Sequence, residues 1–300
     1  MNTRDLKIFL AVAERLNYTR AGEEVHLSQS GVSVRVRELE RELSVKLFEQ
    51  LGKKVALTDA GRLLEPYARR VVAAVDDARQ AIEEFRGLER GRVRIGASTT
   101  PGMYLVPRII AEFKRRYPKI EVTLGINDTR GVEEDVLRNE YDFGFVGGHL
   151  IGGDDVVVTA WHTDELLLIV APNHALAHRR AINLRQIANE QFIFRERGSA
   201  TQAVVESNLH KANLHFEAVI ELSNPEAIKQ GVQSGLGIAF ISQFAIETER
   251  RAKTLVALNV KNLKITRELR IVYRKDKHLP RAAVEFIKLA QQHSSIKRMP

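Results

Sequence analysis

Polar and apolar residues recur at helical spacing over residues 19–37 and predict one short helix, a tight turn and a second helix. The second helix begins with hydroxyl, amide and guanidinium side chains, and no acidic residue occurs between Val25 and Arg37. Such groups hydrogen-bond base edges and phosphates, and helix-turn-helix proteins place this end of their second helix in the major groove. The candidate DNA contacts are Ser28, Gln29, Ser30, Ser33, Arg35 and Arg37. An ordinary three-helix bundle is the alternative at this point.

The residues after the second helix fit a winged version of this motif. Leu47 and Phe48 are apolar anchors, Gly52-Lys53-Lys54 is a turn with two cations, and residues 55–57 are typical of a short strand. A lysine-bearing turn beside a DNA-reading helix can lie along the backbone and neutralise phosphates. We therefore predict phosphate contacts from Lys53 and Lys54, with an ordinary solvated turn as the alternative.

A single long helix is predicted to follow the wing. Thr58 is a suitable N-cap, and Asp59 favours the positive end of the helix dipole. Apolar residues then recur at alternating intervals of four and three, which is a heptad seam. The seam consists of Leu64, Ala68, Val71, Val75, Ala78, Ile82 and Phe85. It predicts a homodimer through residues 59–89, and a helix lying on its own protein's core is the alternative. Pro66 is expected to bend this helix without ending it.

Beyond residue 90 the pattern changes to strands alternating with helices. Strands are predicted at residues 93–97, 120–126, 143–146, 166–171, 192–194, 216–222, 238–241 and 270–273. Helices are predicted at residues 105–117, 132–137, 202–211 and 282–292. This alternation predicts an α/β fold with largely parallel sheets, in which ligands bind beyond the carboxyl ends of strands.

Two loops have the position and the composition of such a ligand site. Residues 98–102 follow the first strand, residues 195–201 follow a strand of the second series, and both loops precede a helix. Their small hydroxyl residues can leave the N–H groups of a helix start accessible and add donors of their own. One interpretation is a cleft that binds a small polar or anionic molecule. The other is simple helix capping by serine or threonine.

Composition limits the remaining classes of function. The 300 residues are 44% hydrophobic and include no cysteine, so substantial cores are expected, while disulfides, thiolate metal sites and thiol catalysis are excluded. No window approaches 18 consecutive apolar residues, which predicts a cytoplasmic protein with no membrane partner. No complete catalytic motif occurs, and we expect no enzyme activity, no cofactor and no metal. The net charge of +8 lies mostly beyond residue 90, so it is no evidence for the helix-turn-helix.

Several short stretches within residues 1–65 have the residues and the spacing of a known domain. They are Leu6-Lys7-Ile8-Phe9, Tyr18-Thr19-Arg20-Ala21, Leu27-Ser28-Gln29-Ser30, Leu47-Phe48-Glu49 and Thr58-Asp59-Ala60-Gly61. Together they resemble the DNA-binding domain of LysR-type transcriptional regulators. The resemblance implies DNA contacts from the residues named above and from Thr19. Gly22 and Gly31 replace the usual alanines, at about 1 kcal/mol of helix propensity each. Val34 replaces a residue that is often polar, so base readout is expected to rest more on Gln29 and Arg35.

The C-terminal two thirds carry a less specific similarity to the same family. It rests on residues 93–100, Pro107, Asp142 and Gly235-Leu236-Gly237. The resemblance implies an effector domain related to periplasmic binding proteins, with two subdomains hinged around a ligand pocket. The implied effector contacts are Ser98, Thr99, Thr100, Glu196, Ser199 and Thr201. Arg197 stands where relatives often have proline and is expected to add a cation near the pocket.

These predictions combine into a transcription factor of mixed fold. An all-α winged helix-turn-helix is placed at residues 1–58, a dimerising linker helix at 59–89, and an α/β effector-binding domain at 90–300. Within it, subdomain I is placed at about 91–162 and 269–300, and subdomain II at about 163–268. The expected partners are double-stranded promoter DNA, a small-molecule effector, further copies of the chain in a dimer or tetramer, and RNA polymerase. A constitutive architectural DNA-binding protein, and a solute-binding or catalytic protein with an incidental helical N-terminus, are the alternatives.

Overall fold

The chain folds as two units, Met1–Gly87 and Leu88–Pro300, and each has its own hydrophobic core or cores. The computed structural model describes residues 1–52, 54–85, 91–148, 153–179, 182–196, 198–212, 214 and 220–294. Within these ranges, no helix is both long enough and apolar enough to cross a bilayer.

Helices and a two-stranded wing make up the N-terminal unit. Its elements are α1 (Thr3–Arg15), α2 (Tyr18–Val25), α3 (Gln29–Leu43), β1 (Phe48–Leu51), β2 (Lys54–Leu57) and α4 (Asp59–Phe85). The apolar faces of α1, α2 and α3 meet in one core around Phe9, and Leu47 and Phe48 anchor the antiparallel β1–β2 pair in that core. The predicted winged helix-turn-helix is confirmed. Lys54 belongs to β2 rather than to the turn, and Lys53 lies outside the described residues.

The long helix α4 begins where the sequence predicts. The Thr58 hydroxyl accepts a hydrogen bond from the Gly61 amide at 3.1 Å, which is the N-cap geometry. The helix then continues through Pro66 to Phe85. Pro66 is the eighth residue of α4, so it lacks the N–H that would donate to the Arg62 carbonyl, and the helix continues in spite of that lost hydrogen bond.

The predicted heptad seam of α4 is wrong in its first turns. Leu64 and Ala68 pack into the core of their own unit, together with Val72. Lys7 of α1 contacts Asp76 at 3.1 Å, which keeps this face of α4 against α1 for roughly five turns. Among the described side chains of α4, the large apolar ones that remain exposed are Leu63, Tyr67, Val71 and Ile82. The side chain of Phe85, the last residue of the predicted seam, lies outside the described part. The alternative prediction, a helix lying on its own core, therefore holds for the first half of α4.

Alternating strands and helices build the C-terminal unit, as predicted. They are β3 (Gly91–Ser98), a π-helical segment (Pro101–Leu105), α5 (Val106–Arg116), β4 (Ile120–Asn127), α6 (Thr129–Leu137), β5 (Phe143–Gly147), β6 (Val156–Val170), α7 (Leu184–Ile187), β7 (Ile193–Arg195), α8 (Ala200–Lys211), β8 (Ile220–Leu222), α9 (Pro225–Gln233), β9 (Ala239–Ser242), α10 (Glu247–Ala252), β10 (Val256–Leu258), β11 (Ile265–Arg274) and α11 (Arg281–Gln292).

The prediction of largely parallel sheets is wrong for the main sheet. Its seven strands run in the order β10-β6-β11-β5-β3-β4, with β9 also paired to β6. β3 pairs in parallel with β4 and β5, but β6 and β11 pair antiparallel with each other and with their other neighbours. β7 and β8 form a separate parallel pair. An apolar run marks a strand without indicating its direction, because direction depends on which distant strand becomes the neighbour.

The sequence also missed several elements. It did not predict α7, α9, α10 or β10, and it placed the start of β6 ten residues too late. His162, Asp164 and Glu165 interrupt the apolar run of β6, which explains the late start. The predicted strand at 216–222 is present as β8 from Ile220 onward, and residues 216–219 lie outside the described residues.

Four clusters of buried apolar residues lie in the C-terminal unit, and the two largest are called here the first and the second core. The first core includes Val93, Phe113, Phe145, Trp161, Leu269 and Phe286. The second core includes Leu166, Phe192, Phe240, Leu258 and Ile265. β6 contributes to the first core before residue 164 and to the second core after it, while β11 passes between the cores in the opposite direction. β6 and β11 therefore run next to each other from one core to the other.

Candidate DNA-binding face and effector cleft

The turn between α2 and α3 is closed by a cap and by a close backbone approach. The Ser28 hydroxyl accepts a hydrogen bond from the Gly31 amide at 3.1 Å and so begins α3. At Gly22 a Cβ atom would lie 2.5 Å from the carbonyl oxygen of Leu27. Glycine at this position therefore allows the turn to pack more tightly than an alanine would permit.

The predicted DNA contacts lie on the surface of the N-terminal unit. Thr19, Ser28, Gln29, Ser30, Arg37 and Lys54 are exposed, and Ser33 and Arg35 are half-buried. Val32, Val36 and Leu39 occupy the opposite face of α3 and are buried in the core. Residues 29, 33 and 37 follow one another at four-residue intervals, so they share one side of the helix. The polar side of α3 is thus fixed by the burial of its apolar side.

Two arginines of this face already have protein partners. Arg35 contacts Asp5 at 3.6 Å and Glu38 at 3.3 Å, and the Nε of Arg37 donates to a backbone carbonyl oxygen within α3 at 3.2 Å. A guanidinium held between two carboxylates attracts a phosphate less strongly than a free one. The side chain of Gln29, in contrast, makes no hydrogen bond with any described residue, so its amide group is available to a base edge.

A buried glutamate that the sequence did not single out holds the wing in place. Glu40 accepts hydrogen bonds from the amides of Leu47 and Phe48 at 2.9 Å and 3.3 Å, and it pairs with Lys46 at 2.8 Å. Without this carboxylate two buried amides would lose their acceptor, which is costly. One feature of the sequence could have identified Glu40: it is an acidic residue on the apolar side of α3, four positions after Val36.

In the C-terminal unit the two loops singled out from the sequence meet at one cleft. All six predicted effector contacts line it: Ser98, Thr99, Thr100, Glu196, Ser199 and Thr201. The other lining residues are Asp128, Thr129, Gly147, Arg195, Ala200 and Arg267. The cleft encloses about 290 Å³, including the space at its open mouth. The loop after β3, next to the first core, forms one wall of the cleft. The loop after β7, next to the second core, forms the other wall.

Three helical segments begin at this cleft. The π-helical segment follows Thr100, α6 follows its N-cap Asp128, and α8 follows its N-cap Ser199. The first N–H groups of a helix lack intrahelical partners and carry the positive end of the helix dipole, so they attract anions. Asp128 already accepts a hydrogen bond from the Gly131 amide at 2.6 Å, whereas the Ser199 side chain makes no cap hydrogen bond.

Arg267 of β11 connects the two walls of the cleft. Its Nη2 donates to the Thr100 hydroxyl oxygen at 2.9 Å, and its Nη1 donates to the Thr201 hydroxyl oxygen at 2.8 Å. Asp164, directly opposite on β6, accepts from the Nε of Arg267 at 2.9 Å and is fully buried. Burial raises the pKa of Asp164 above its ordinary value, although Arg267 and Ser242 act in the opposite direction. A buried ion pair thus lies where β6 and β11 cross between the cores.

The second guanidinium of the cleft is paired with its neighbour in sequence. Arg195 donates to both carboxylate oxygens of Glu196 at 2.7 Å. Its backbone amide donates to the side chain of Gln202 at 3.2 Å, which ties β7 to the first turn of α8. An anionic ligand would compete with Glu196 for this guanidinium. Arg197, which the sequence predicts as a further cation near the cleft, lies outside the described residues.

Comparison with known proteins places the chain among regulators of one family. Residues 3–62 match the bacterial regulatory helix-turn-helix protein model of the lysR family, and residues 86–295 match the LysR substrate binding domain model. The chain belongs to the LysR family. It is a DNA-binding transcriptional regulator that responds to a small-molecule effector.

Relatives and solved structures resemble this LysR-family chain over most of its length. The RuBisCO operon transcriptional regulator of Allochromatium vinosum is 36% identical over 286 residues, which covers 95% of this chain and 94% of that protein. Full-length OxyR from Pseudomonas aeruginosa superposes on 100% of this chain and 99% of its own, with a TM-score of 0.78 and 21% identity. The regulatory domain of CcmR from Synechocystis, solved with 2-PG, covers 68% of this chain and 98% of its own, with a TM-score of 0.63 and 28% identity. The predicted fold class is confirmed.

Four charged or polar cleft residues of this LysR-family regulator were not predicted from the sequence. They are Asp128, Thr129, Arg195 and Arg267. The first two could have been found, because an Asp-Thr pair directly after a strand is a helix start signal at the carboxyl end of that strand. Arg267 gives no such signal, because it lies inside a strand and is brought to the cleft only by the pairing of β11 with β6.

Proposed function

We propose that this LysR-family regulator binds promoter DNA in a sequence-specific manner and changes that binding when a small anion occupies the cleft. One observation supports this proposal above the others. The six side chains predicted as effector contacts, from two loops far apart in the sequence, line a single cleft where three helical segments begin. We assign the chain a binding role and no catalysed reaction.

The DNA contacts are proposed from the exposed polar side of α3 and from the wing. Ser28, Gln29, Ser30, Ser33 and Arg35 contact bases or backbone, and Thr19, Arg37, Lys53 and Lys54 contact the backbone. The exposure of Gln29 and the pairing of Arg35 with Asp5 and Glu38 favour Gln29 as the main base contact. Contacts to phosphates position the protein, while contacts to base edges provide the sequence preference.

Dimerisation is proposed through the exposed side of α4. Leu63 and Ile82 are each 67% exposed, and Tyr67 and Val71 are 53% and 43% exposed. A row of large apolar side chains in water is unfavourable, and a second copy of the same helix can cover it. A tetramer made of two such dimers is the further assembly that we propose. A dimer would also present two α3 helices to two half-sites of an operator.

The Val71→Asp/Ile82→Asp double variant is expected to weaken self-association at least 100-fold. Two carboxylates would then have to be buried in an apolar contact, at several kcal/mol in total. Sedimentation equilibrium at micromolar concentration measures the shift toward monomer. Val158→Asp is the matched control, because Val158 has a similar exposed fraction, 42%, and lies on β6. A double variant that sediments like the wild-type protein would contradict the proposal.

Domain boundaries are proposed from the helix cap at Thr58 and from the two cores of the C-terminal unit. We propose a DNA-binding domain at residues 1–58, a linker helix at 59–89 and an effector-binding domain at 90–300. Within the last, subdomain I comprises about 91–162 and 269–300, and subdomain II about 163–268. The Thr58 cap supports the first boundary. The passage of β6 and β11 between the two cores at Asp164 and Arg267 supports the division into subdomains.

The effector is proposed to be a small anion that contacts Ser98, Thr99, Thr100, Glu196, Ser199 and Thr201. Hydroxyl donors, two guanidinium groups and three helix starts favour negative charge in the cleft. 2-PG, with which the CcmR regulatory domain was solved in complex, is the first compound to test. We propose that the bound effector favours one arrangement of the two subdomains over the other and so changes the spacing of the DNA-binding heads.

The Thr100→Val variant is expected to bind the effector roughly 10- to 100-fold more weakly, because a buried hydroxyl that contacts the ligand is lost. Affinity for the operator without effector should change less than twofold. The operator is recovered by selection from randomised DNA, and effector response is measured as the change in operator affinity. Thr123→Val on β4, an exposed threonine outside the cleft, is the matched control. An unchanged response in the Thr100→Val protein would remove this residue from the site.

The consequence for transcription is proposed to arise at the promoter. A ligand-dependent change in DNA spacing or bend would alter access of RNA polymerase, which we propose as a further partner. Since its target is promoter DNA, we propose that the protein acts in the cytoplasm of a bacterial cell. A constitutive architectural DNA binder is the remaining rival, and it predicts that no compound changes the footprint on DNA.

A further inference from the structure

Three hydroxyl groups of the cleft are held as hydrogen-bond acceptors by the protein itself. The Ser98 hydroxyl oxygen accepts from the Gly147 amide at 3.2 Å. The hydroxyl oxygens of Thr100 and Thr201 accept from Arg267 at 2.9 Å and 2.8 Å. The three residues are only 7%, 4% and 7% exposed. No described residue accepts a hydrogen bond from any of these three hydroxyl groups.

This arrangement decides the direction of hydrogen bonding toward a ligand. A hydroxyl group has one hydrogen, and when its oxygen already accepts from the protein, that hydrogen remains to be donated. A buried donor without an acceptor is unfavourable, so a ligand that supplies acceptors gains from all three groups. A ligand group that brings its own hydrogen meets donors instead.

Arg267 adds a further donor and is held firmly. Its Nε and Nη2 both contact Asp164, its Nη2 also donates to Thr100, and its Nη1 donates to Thr201. These contacts use four of the five N–H groups of a guanidinium. The fifth, on Nη1, has no acceptor among the described residues. Asp164 also accepts from the Ser242 hydroxyl at 2.7 Å, which fixes the carboxylate behind the guanidinium.

We infer that Arg267 is the positioning residue that makes this cleft specific for a deprotonated oxyanion. By holding the Thr100 and Thr201 hydroxyl groups as donors, it restricts the part of the effector that contacts them to a group that only accepts hydrogen bonds, such as a carboxylate, a sulfate or a fully deprotonated phosphate ester. The inference rests on the proposed function, because it specifies the effector of the same cleft. A protonated acid or an amide, which brings its own hydrogens, is rejected because it leaves donors facing donors.

The two carboxylates that line the cleft are compatible with an anionic ligand. Asp128 is engaged by the Gly131 amide at the start of α6, where the helix dipole offsets its charge. Glu196 is neutralised by Arg195 through two hydrogen bonds. Since neither carboxylate contacts Thr100 or Thr201, both can accept hydrogens from other parts of the ligand without competing for the oxyanion.

The test compares an anion with an uncharged analogue that carries hydrogens, in the full-length protein. The probes are inorganic sulfate, shikimate and the primary amide of shikimate, whose NH2 group donates hydrogen bonds where the carboxylate only accepts them. Trp161 is the single tryptophan of the chain and lies on β6 three residues before Asp164, so its fluorescence can report binding together with calorimetry. The measured quantity is anion selectivity, the ratio of the affinities for a carboxylate and for its amide. A general loss of packing would lower both affinities and leave that ratio unchanged.

The Arg267→Lys variant keeps the positive charge opposite Asp164, but an ammonium group cannot hold two threonines in the planar geometry of a guanidinium. We expect the wild-type protein to bind the carboxylate at least roughly tenfold more tightly than the amide, and Arg267→Lys to lose most of that difference. Arg270→Lys is the matched control. Arg270 lies three residues further along β11, and its side chain is paired with Glu268 at the surface. Its anion selectivity should equal that of the wild-type protein.

A second pair of variants tests the role without touching the buried ion pair. Thr201→Val should lose anion selectivity like Arg267→Lys, and Thr201→Ser, which keeps the hydroxyl group, should restore it. In the double variant Arg267→Lys/Thr201→Val the losses should be less than additive, because both changes remove the same oriented donor. If the wild-type protein binds none of the anions, both the anionic effector and the role of Arg267 are overturned. If it binds them and Arg267→Lys or Thr201→Val keeps full selectivity, only the role of Arg267 is overturned.

Discussion

Replacing Asp142 with asparagine is expected to lower the free energy of unfolding by about 3–5 kcal/mol, the usual cost of breaking one side of a buried ion pair. The Asp142 side chain is fully buried, and Lys277 and Arg94 contact its Oδ1 at 2.8 Å and 2.9 Å. The Lys277 side chain is itself only 2% exposed, so the asparagine variant removes a negative charge that this buried ammonium contacts. Urea unfolding followed by circular dichroism measures the change.

The pH dependence of this effect follows from the pKa of Asp142. Burial alone would raise that pKa, but the charges of Lys277 and Arg94 outweigh burial and hold it below its ordinary value. The stabilisation by ionised Asp142 is therefore fully present above the pKa of the unfolded chain, about 3.9. It is lost as pH falls through the lower pKa of the folded protein. The difference between the wild-type and Asp142→Asn proteins should stay constant near neutral pH and shrink below about pH 4.

A surface ion pair provides the control for this prediction. Glu268 pairs with Arg270 at 3.0 Å, and the two side chains are 51% and 32% exposed. Glu268→Gln should change the free energy of unfolding by less than about 1 kcal/mol, because water screens such pairs. If Asp142→Asn costs no more than this control, the buried cluster contributes little to stability and the prediction is wrong.

Gln29→Ala is expected to weaken binding to the selected operator by roughly 10- to 100-fold, because a good side-chain contact to a base edge contributes about 1–3 kcal/mol of discrimination. Binding to DNA of random sequence should remain unchanged. The side chain is exposed at the first position of α3 and makes no hydrogen bond with any described residue. Fluorescence anisotropy with operator and random duplexes at fixed salt concentration measures both affinities.

Lys54→Ala provides the contrasting variant. Lys54 is exposed at the start of β2, beside the predicted turn of the wing. Loss of a phosphate contact should weaken binding evenly on both duplexes and reduce the slope of log affinity against log salt concentration by about 1. An equal loss on operator and random DNA for Gln29→Ala would show that this residue contacts only the backbone.

Local signals explain why the DNA-binding half was largely predictable. Ser28 caps α3 and Thr58 caps α4, and each contacts an amide three residues away in the sequence. Glu40, in contrast, holds the wing through the amides of residues seven and eight positions later. The residues next to Glu40 in the sequence do not indicate those partners. The free side of α4 was also missed, because a four-three pattern is the same whether the helix packs on its own core or on a second copy.

In the effector cleft, too, features set by nearby residues could be predicted and features set by distant residues could not. Ser98 to Thr100 and Ser199 to Thr201 each follow a strand and precede a helical segment, so their positions could be predicted from adjacent residues. That the two loops face one cleft was an expectation of the family resemblance. Arg267 and Asp164 were not predicted, because charged residues inside strands are ordinarily exposed, and here the crossing of β6 and β11 buries both.

The sequence by itself determined the positions of most of the longer helices, where α3 and α4 begin, and which loops carry hydroxyl groups beside helix starts. Helix caps and hydrophobic periodicity involve residues only a few positions apart, so they can be recognised from the sequence alone. Only the tertiary structure decided the antiparallel direction of β6 and β11, the side of α4 left exposed, and the contact of Arg267 with both walls of the cleft. Each of these depends on residues far apart in the chain, whose pairing is set by the packing of the whole unit.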